Sequence, residues 1–136
     1  MLNPSTATEA ANDPTIERCE RRSRAMGFGA LDVVNLYAFR ATRPADLFAA
    51  ADPVGPECDA VVLEAAGEAG LIVAGWGVHG ARAGRDTEVA AMLAGRSLTC
   101  LGVTRAGQPR HPLYVGYAEG PRPWTPAEPD PPRAGP

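Results

Sequence analysis

Three short apolar runs constrain this chain more than anything else in it. They are "ALDVVNL" (30–36), "LIVAGWG" (71–77) and "LTCLGV" (98–103). A strand with one wet face alternates apolar and polar residues. A nearly continuous run suits a strand covered on both faces, as in a parallel sheet. Helical patterns lie between the runs. Residues 56–69 carry Val61, Val62, Leu63 and Ala65, and residues 86–94 carry Val89, Ala90, Met92 and Leu93. Asp86 is placed to cap the second of these and Gly95 to end it. "PLYVGYA" (112–118) reads as one more short strand. The alternation predicts a three-layer α/β fold, a mostly parallel sheet with helices on both faces.

The start of the chain fits the same scheme. Leu2 reads as the last residue of a first strand truncated at the N-terminus, and Asn3-Pro4-Ser5-Thr6 as the loop after it. Asp13 and Pro14 then open a helix, the first as cap and the second at the first helical position. Ile16, Cys19, Ser23 and Met26 share one face of it, and Gly27 stops it. Its arginines, Arg18, Arg21, Arg22 and Arg24, read as a solvated face. At the other end, seven of the 17 residues from 120 to 136 are proline. Such a segment is expected to stay extended or disordered. The division is therefore an α/β domain over 1–117 and a proline-rich tail over 118–136, within 136 residues that suffice for one core.

Charge and cysteine narrow the function. All 13 basic residues are arginine, and the net charge is −3. Residues 44–81 hold six acids and no base, whereas residues 82–117 hold five arginines against Asp86 and Glu88. Proteins that grip nucleic acid along its length are more basic overall. A small anionic or nucleobase-like ligand fits better, with nucleic acid a weaker expectation. No apolar run approaches the ~20 residues of a membrane span, so no membrane partner is expected, and the cytoplasm is the expected setting. Cys19, Cys58 and Cys100 are odd in number and form no paired motif, which points to free thiols and away from disulfides or zinc. No cofactor is expected, since neither a dinucleotide nor a P-loop glycine pattern is present. Nor is there a nucleophile elbow for acyl transfer.

Ligands of open parallel sheets bind at the carboxyl ends of the strands. The loops expected there hold Asn3, Ser5 and Thr6; Asn35, Tyr37, Arg40 and Arg43; Trp76, Gly77 and His79; and Arg110 and His111. Both histidines of the chain are among them. Histidine moves protons near neutral pH, so His79 and His111 could serve as acid and base or clasp one leaving group. Two histidines without a carboxylate at ligand spacing make a poor metal site.

The stretches "MLNPSTA", "NDPTIERC", "VVNLYAFRATRP", "DPVGPECD", "AGWG" and "LGVTRAGQPRHPLY" closely resemble the DUF1643 family, a bacterial and phage family of undefined function. The resemblance runs from Met1 to about Tyr117. It implies a further segment ahead of the LNPST motif and carries no activity with it. A fainter likeness is to the uracil-DNA glycosylase superfamily, whose members place an Asn-Pro or Asp-Pro motif early and a His-Pro motif late. Asn3-Pro4 and His111-Pro112 are similar in kind and order. That likeness implies that Asn3 positions water or the sugar, His111 steadies the charge on a departing base, and Tyr37 or Trp76 stacks on it. Together these readings lead to a small enzyme, or former enzyme, binding a nucleotide or nucleobase-like ligand, with His111 and Asn3 as the catalytic candidates. The alternative is a non-catalytic ligand-binding or protein-interaction module that uses the acidic 44–81 surface.

Overall fold

A computed structural model describes residues 1–4 and 13–126. Four helices, α1 (Pro14–Ala25), α2 (Pro44–Ala49), α3 (Cys58–Glu68) and α4 (Arg85–Met92), accompany three strands, β1 (Ile72–Ala74), β2 (Leu98–Cys100) and β3 (Arg122–Pro123). The class is α/β. The described sheet runs β1-β2-β3, with β1 parallel to β2 and β3 antiparallel to it. It is mixed rather than mostly parallel.

Local signals set the helices that were expected. The Asp13 carboxylate accepts from the Thr15 N–H at 2.8 Å, and Pro14 occupies the first turn of α1. Gly27 takes the left-handed conformation just past its end (φ 83°). The capping role expected of Asp86 is not there. Gly84 caps α4 in a left-handed conformation, and Asp86 lies buried in the first turn, accepting from Gln108 Nε2 at 3.0 Å. α2 follows directly on the loop expected at 37–44 and was not anticipated. Pro44 starts it, and Leu47, with no exposed surface, anchors it.

Two expected strands take other forms, for one reason: a strand exists only where a partner takes its hydrogen bonds. Residues 30–36 lie outside the described sheet. Their paired end is at the N-terminus. The Met1 nitrogen donates to the Val34 carbonyl at 2.7 Å, and the Leu36 N–H donates to the Met1 carbonyl at 2.8 Å. That is a parallel rung with Asn35 at its centre. Val33 and Val34 line an apolar cavity of about 380 Å³ together with Ile72 and Val73. Residues 112–118 are not a strand either. Pro112–Tyr114 is a 3₁₀ turn.

The C-terminal segment also departs from expectation. Described residues after 117 pack against the sheet. The Trp124 N–H donates to the Leu98 carbonyl at 3.0 Å, and its indole stands edge-on to Trp76 with centroids 5.2 Å apart. Trp124 is 6% exposed and belongs to the core with Leu36, Leu47, Val62, Val89 and Cys100. Proline lacks a donor, but an edge strand needs none on its outer side, so Arg122–Pro123 can still pair with β2. Residues 127–136 of the expected tail lie outside the described residues. Among the described residues, no helix is long and apolar enough to cross a membrane.

Candidate functional site

A cleft of about 1240 Å³ opens where the N-terminus, α1 and three loops meet. Asn3, Asn35, Arg40, Trp76, His79 and His111 all line it. They come from four separated stretches of chain. Ser5 and Thr6 lie outside the described residues.

Backbone bonds bring the two histidine loops together. Gly77 adopts φ 76°, a conformation open to glycine, and its N–H donates to the Pro109 carbonyl at 2.8 Å. This ties the turn that begins at Val78 to the segment entering His111. His79 is exposed, its ring 6.3 Å from that of Phe48. His111 is half-buried, and its Nδ1 accepts from the Leu113 N–H at 3.2 Å. An acceptor Nδ1 carries no proton, so the neutral ring holds its proton on Nε2. Burial pushes the imidazole below its ordinary value and favours that neutral form.

The sign of the pH effect follows. A lowered folded-state value binds fewer protons than the unfolded chain. The stabilisation is present above the ordinary value of about 6.5 and is lost as pH falls through the folded one. Stability measured by urea melts is expected to decline as pH drops from 7 to 5, and His111→Gln is expected to remove that component of the slope. An unchanged slope in the variant contradicts it.

Asn3 works on the loop rather than on open space. Its Nδ2 donates to the carbonyls of Pro4, Phe39 and Ala41 at 3.1, 3.1 and 3.0 Å. It therefore fixes the backbone on either side of Arg40, which lines the cleft. Trp76 is 6% exposed and its indole N–H is committed to Gln108 Oε1 at 2.9 Å. It reaches the cleft as a wall and not as a free stacking platform.

Four expected residues lie elsewhere or play other parts. Tyr37 is in the core, its hydroxyl donating to the Arg82 carbonyl at 3.1 Å and its ring edge-on to Phe48. Arg43 precedes α2, where its carbonyl accepts from the Leu47 N–H at 3.2 Å. Arg110 lies over Gly102. Gly77 joins the loops, as described. Sequence reasoning missed Asp13, Glu17 and Glu20, which supply an acidic wall from α1. The signal was the i, i+3 spacing of Glu17 and Glu20, which also suits an ordinary solvated face.

Two side-chain clusters outside the cleft lining were also missed. The Arg85 guanidinium donates to the Leu36 carbonyl at 2.7 Å and to Asp59 at 2.7 Å, and pairs with Glu88. Cys58 sits against it, and burial pushes its thiol up, with Arg85 opposing the shift. Cys58 and Cys100 are buried and Cys19 half-buried, all as thiols. The second cluster is the N-terminal arginines, read as a solvated face. Arg18 and Arg22 instead donate to carbonyls of residues 112–119. Among the described residues, no three His, Cys, Asp or Glu side chains are grouped to hold a metal ion.

The fold and cleft define a small α/β protein with a polar, mixed-charge site built from loops and one helix. The family described as "Protein of unknown function (DUF1643)" matches residues 1–113, and the chain belongs to it. No curated protein and no solved structure matches, so the glycosylase likeness gains no support from either comparison.

Proposed function

We propose that the cleft binds a nucleobase, nucleoside or nucleotide and that His111 recognises it through Nε2–H. The observation that carries this reading is the convergence of Asn35, Arg40, His79 and His111 on one cleft that also has a carboxylate wall. Carboxylates accept from the amino and ring N–H groups of a base, and Arg40 suits an anionic oxygen. The acidic wall repels a long polyphosphate or a duplex, so free small ligands fit better than nucleic acid. A neutral Nε2–H donor can also stabilise negative charge that develops on a ligand atom, which is the feature an enzyme would use. The reading includes a cytoplasmic setting, in keeping with three free thiols. It also includes a three-layer arrangement, in keeping with the parallel rung at Met1 and Asn35.

A thermal-shift screen against free bases, nucleosides, nucleotides and short single-stranded DNA tests it. Ligand at a hundred times its Kd adds about 2.7 kcal/mol to folded-state stability, enough to move the midpoint by several degrees. The expected result is a shift with bases or nucleosides that vanishes in a folded His111→Ala variant. A shift that survives His111→Ala, or none in any class, overturns the reading.

A second reading, a protein-interaction module, draws on α3. Val61 and Leu63 there are 51% and 46% exposed on an acidic surface. Asp52 is less suited to that role than its charge suggests, because its carboxylate accepts from the Gly55 N–H and shapes a turn.

A further inference from the structure

His111 is followed at once by the Pro112–Tyr114 turn, and that turn is gripped from two sides. On one side, a single guanidinium spans it. Arg18 Nε donates to the Pro112 carbonyl at 3.2 Å, and Arg18 Nη2 donates to the Val115 carbonyl at 2.6 Å. These are the first residue of the turn and the residue just after it. Arg22 continues the grip. Its Nη2 donates to the Val115 and Gly116 carbonyls at 2.9 and 2.7 Å, and its Nη1 to the Glu119 carbonyl at 2.8 Å. Both guanidinium groups, with that of Arg21, also lie over the Tyr117 ring, 4.4 to 5.1 Å from its centre. On the other side, Gly75 abuts Pro112. A Cβ at Gly75 would stand 3.0 Å from Pro112 Cδ and 3.2 Å from Cγ, so the proline ring rests almost directly on backbone.

We propose that Arg18 and Arg22, backed by Gly75, are positioning residues that lock the turn after His111 and thereby fix which ring nitrogen His111 offers to the cleft. The link is the Leu113 N–H. It meets His111 Nδ1 only while Pro112–Tyr114 keeps its 3₁₀ form, and the arginines hold both ends of that form. A guanidinium suits the task because it is planar and always charged, so it can donate to two carbonyls at a fixed spacing. An arginine that only packed on Tyr117 would leave His111 indifferent. This inference rests on the proposed role of His111 in ligand recognition, but its test needs no ligand.

The test is long-range proton–nitrogen NMR of the histidine rings in ¹⁵N-labelled full-length protein. The wild type is expected to show His111 with its proton on Nε2. Arg18→Met keeps the stem and removes the donors. It is expected to lower the Nε2–H to Nδ1–H ratio at His111 about fivefold, the worth of one hydrogen bond, while His79 stays unchanged. Arg18→Lys restores the charge on one nitrogen without the planar fork and is expected to fall between. Arg21→Met, which loses only a ring contact, is expected to match the wild type. A folded Arg18→Met protein with an unaltered His111 ratio overturns the proposal. Should Arg18→Met fail to fold, Gly75→Ala decides, because its Cβ would press on the Pro112 ring. An unaltered ratio there overturns the proposal equally. A ligand screen that fails while the His111 ratio responds would remove the proposed ligand and leave the positioning role standing.

Discussion

Replacing Gly80 with alanine is expected to destabilise the protein by about 3 kcal/mol, the upper part of the range for overpacking a core. A Cβ at Gly80 would fall inside the Trp76 indole, 2.6 Å from Cγ and closer still to Cδ1 and Nε1. Something must move, and each possible move has a cost. The Trp76 ring is fixed by its bond to Gln108, by Trp124 standing edge-on at 5.2 Å, and by Gln108 donating in turn to the buried Asp86. Shifting the indole breaks that relay and leaves buried polar groups without partners. Shifting Gly80 instead distorts the turn that carries His79. Urea melts with tryptophan fluorescence report both stability and the environment of the two indoles. Gly29→Ala is the matched control, since a Cβ there has nothing within 4 Å and the backbone angle is ordinary. A Gly80→Ala protein as stable as that control would show that the indole does not sit where it is described.

Arg85→Met is expected to cost about 2–4 kcal/mol. Arg85 is 2% exposed and links three parts of the chain. It donates to the Leu36 carbonyl, to Asp59 on α3 and to Glu88 on α4. Methionine fills most of the volume, so the loss isolates the donors. The Leu36 carbonyl keeps only the weak thiol contact of Cys58 at 3.5 Å. Most of the cost arises there, because Asp59 and Glu88 are about half exposed and water can replace the guanidinium on them. The same variant exposes a second effect. Arg85 holds the Cys58 thiol below the value burial alone would give. Its loss is therefore expected to slow thiolate formation wherever the fold survives. Thiol labelling near pH 9 measures this. A stability change under about 0.5 kcal/mol would show that the bond to Leu36 contributes little.

What could be read in advance was whatever the chain specifies locally. Asp13-Pro14 and Gly27 bracket α1 because a cap, a fixed φ and a left-handed stop need no distant partner. The runs at 72–74 and 98–100 do pair, parallel to one another, although Val73 remains 37% exposed. Residues 30–36 carry the same signal, yet only their end is paired, through Met1. Apolar content does not say who takes a segment's hydrogen bonds, nor does it ensure burial: Leu31 is 40% exposed and Leu36 is the buried member of the run. Arg18 and Arg22 of α1 were the largest misreading, whereas Arg21 and Arg24 are exposed as a solvated face should be. The acceptors of Arg18 and Arg22 lie 93 to 97 residues away, and no pattern within one helix points that far. At the site, Asn3, Arg40, His79 and His111 line one cleft. Tyr37 turned inward because its ring packs edge-on against Phe48, which only the unanticipated α2 supplies. The acidic wall went unseen because a helix face of Asp13, Glu17 and Glu20 looks the same whether it meets water or a cleft.

The pairing of β2 with Arg122–Pro123 bears on how this molecule behaves in a crowd. The outer strand of a sheet ordinarily presents unused backbone donors, which invite another chain to add on and grow into aggregates. Here the last rung pairs Thr99 with Pro123, a residue with no N–H to offer. Beside it Arg122 carries a charge that would have to be stripped of water before a neighbouring strand could lie flat. The Trp124 indole then closes the corner by donating to the Gly107 carbonyl at 3.0 Å. A segment whose composition suggests an idle tail thus ends the sheet on that side and denies it to a self-propagating stack.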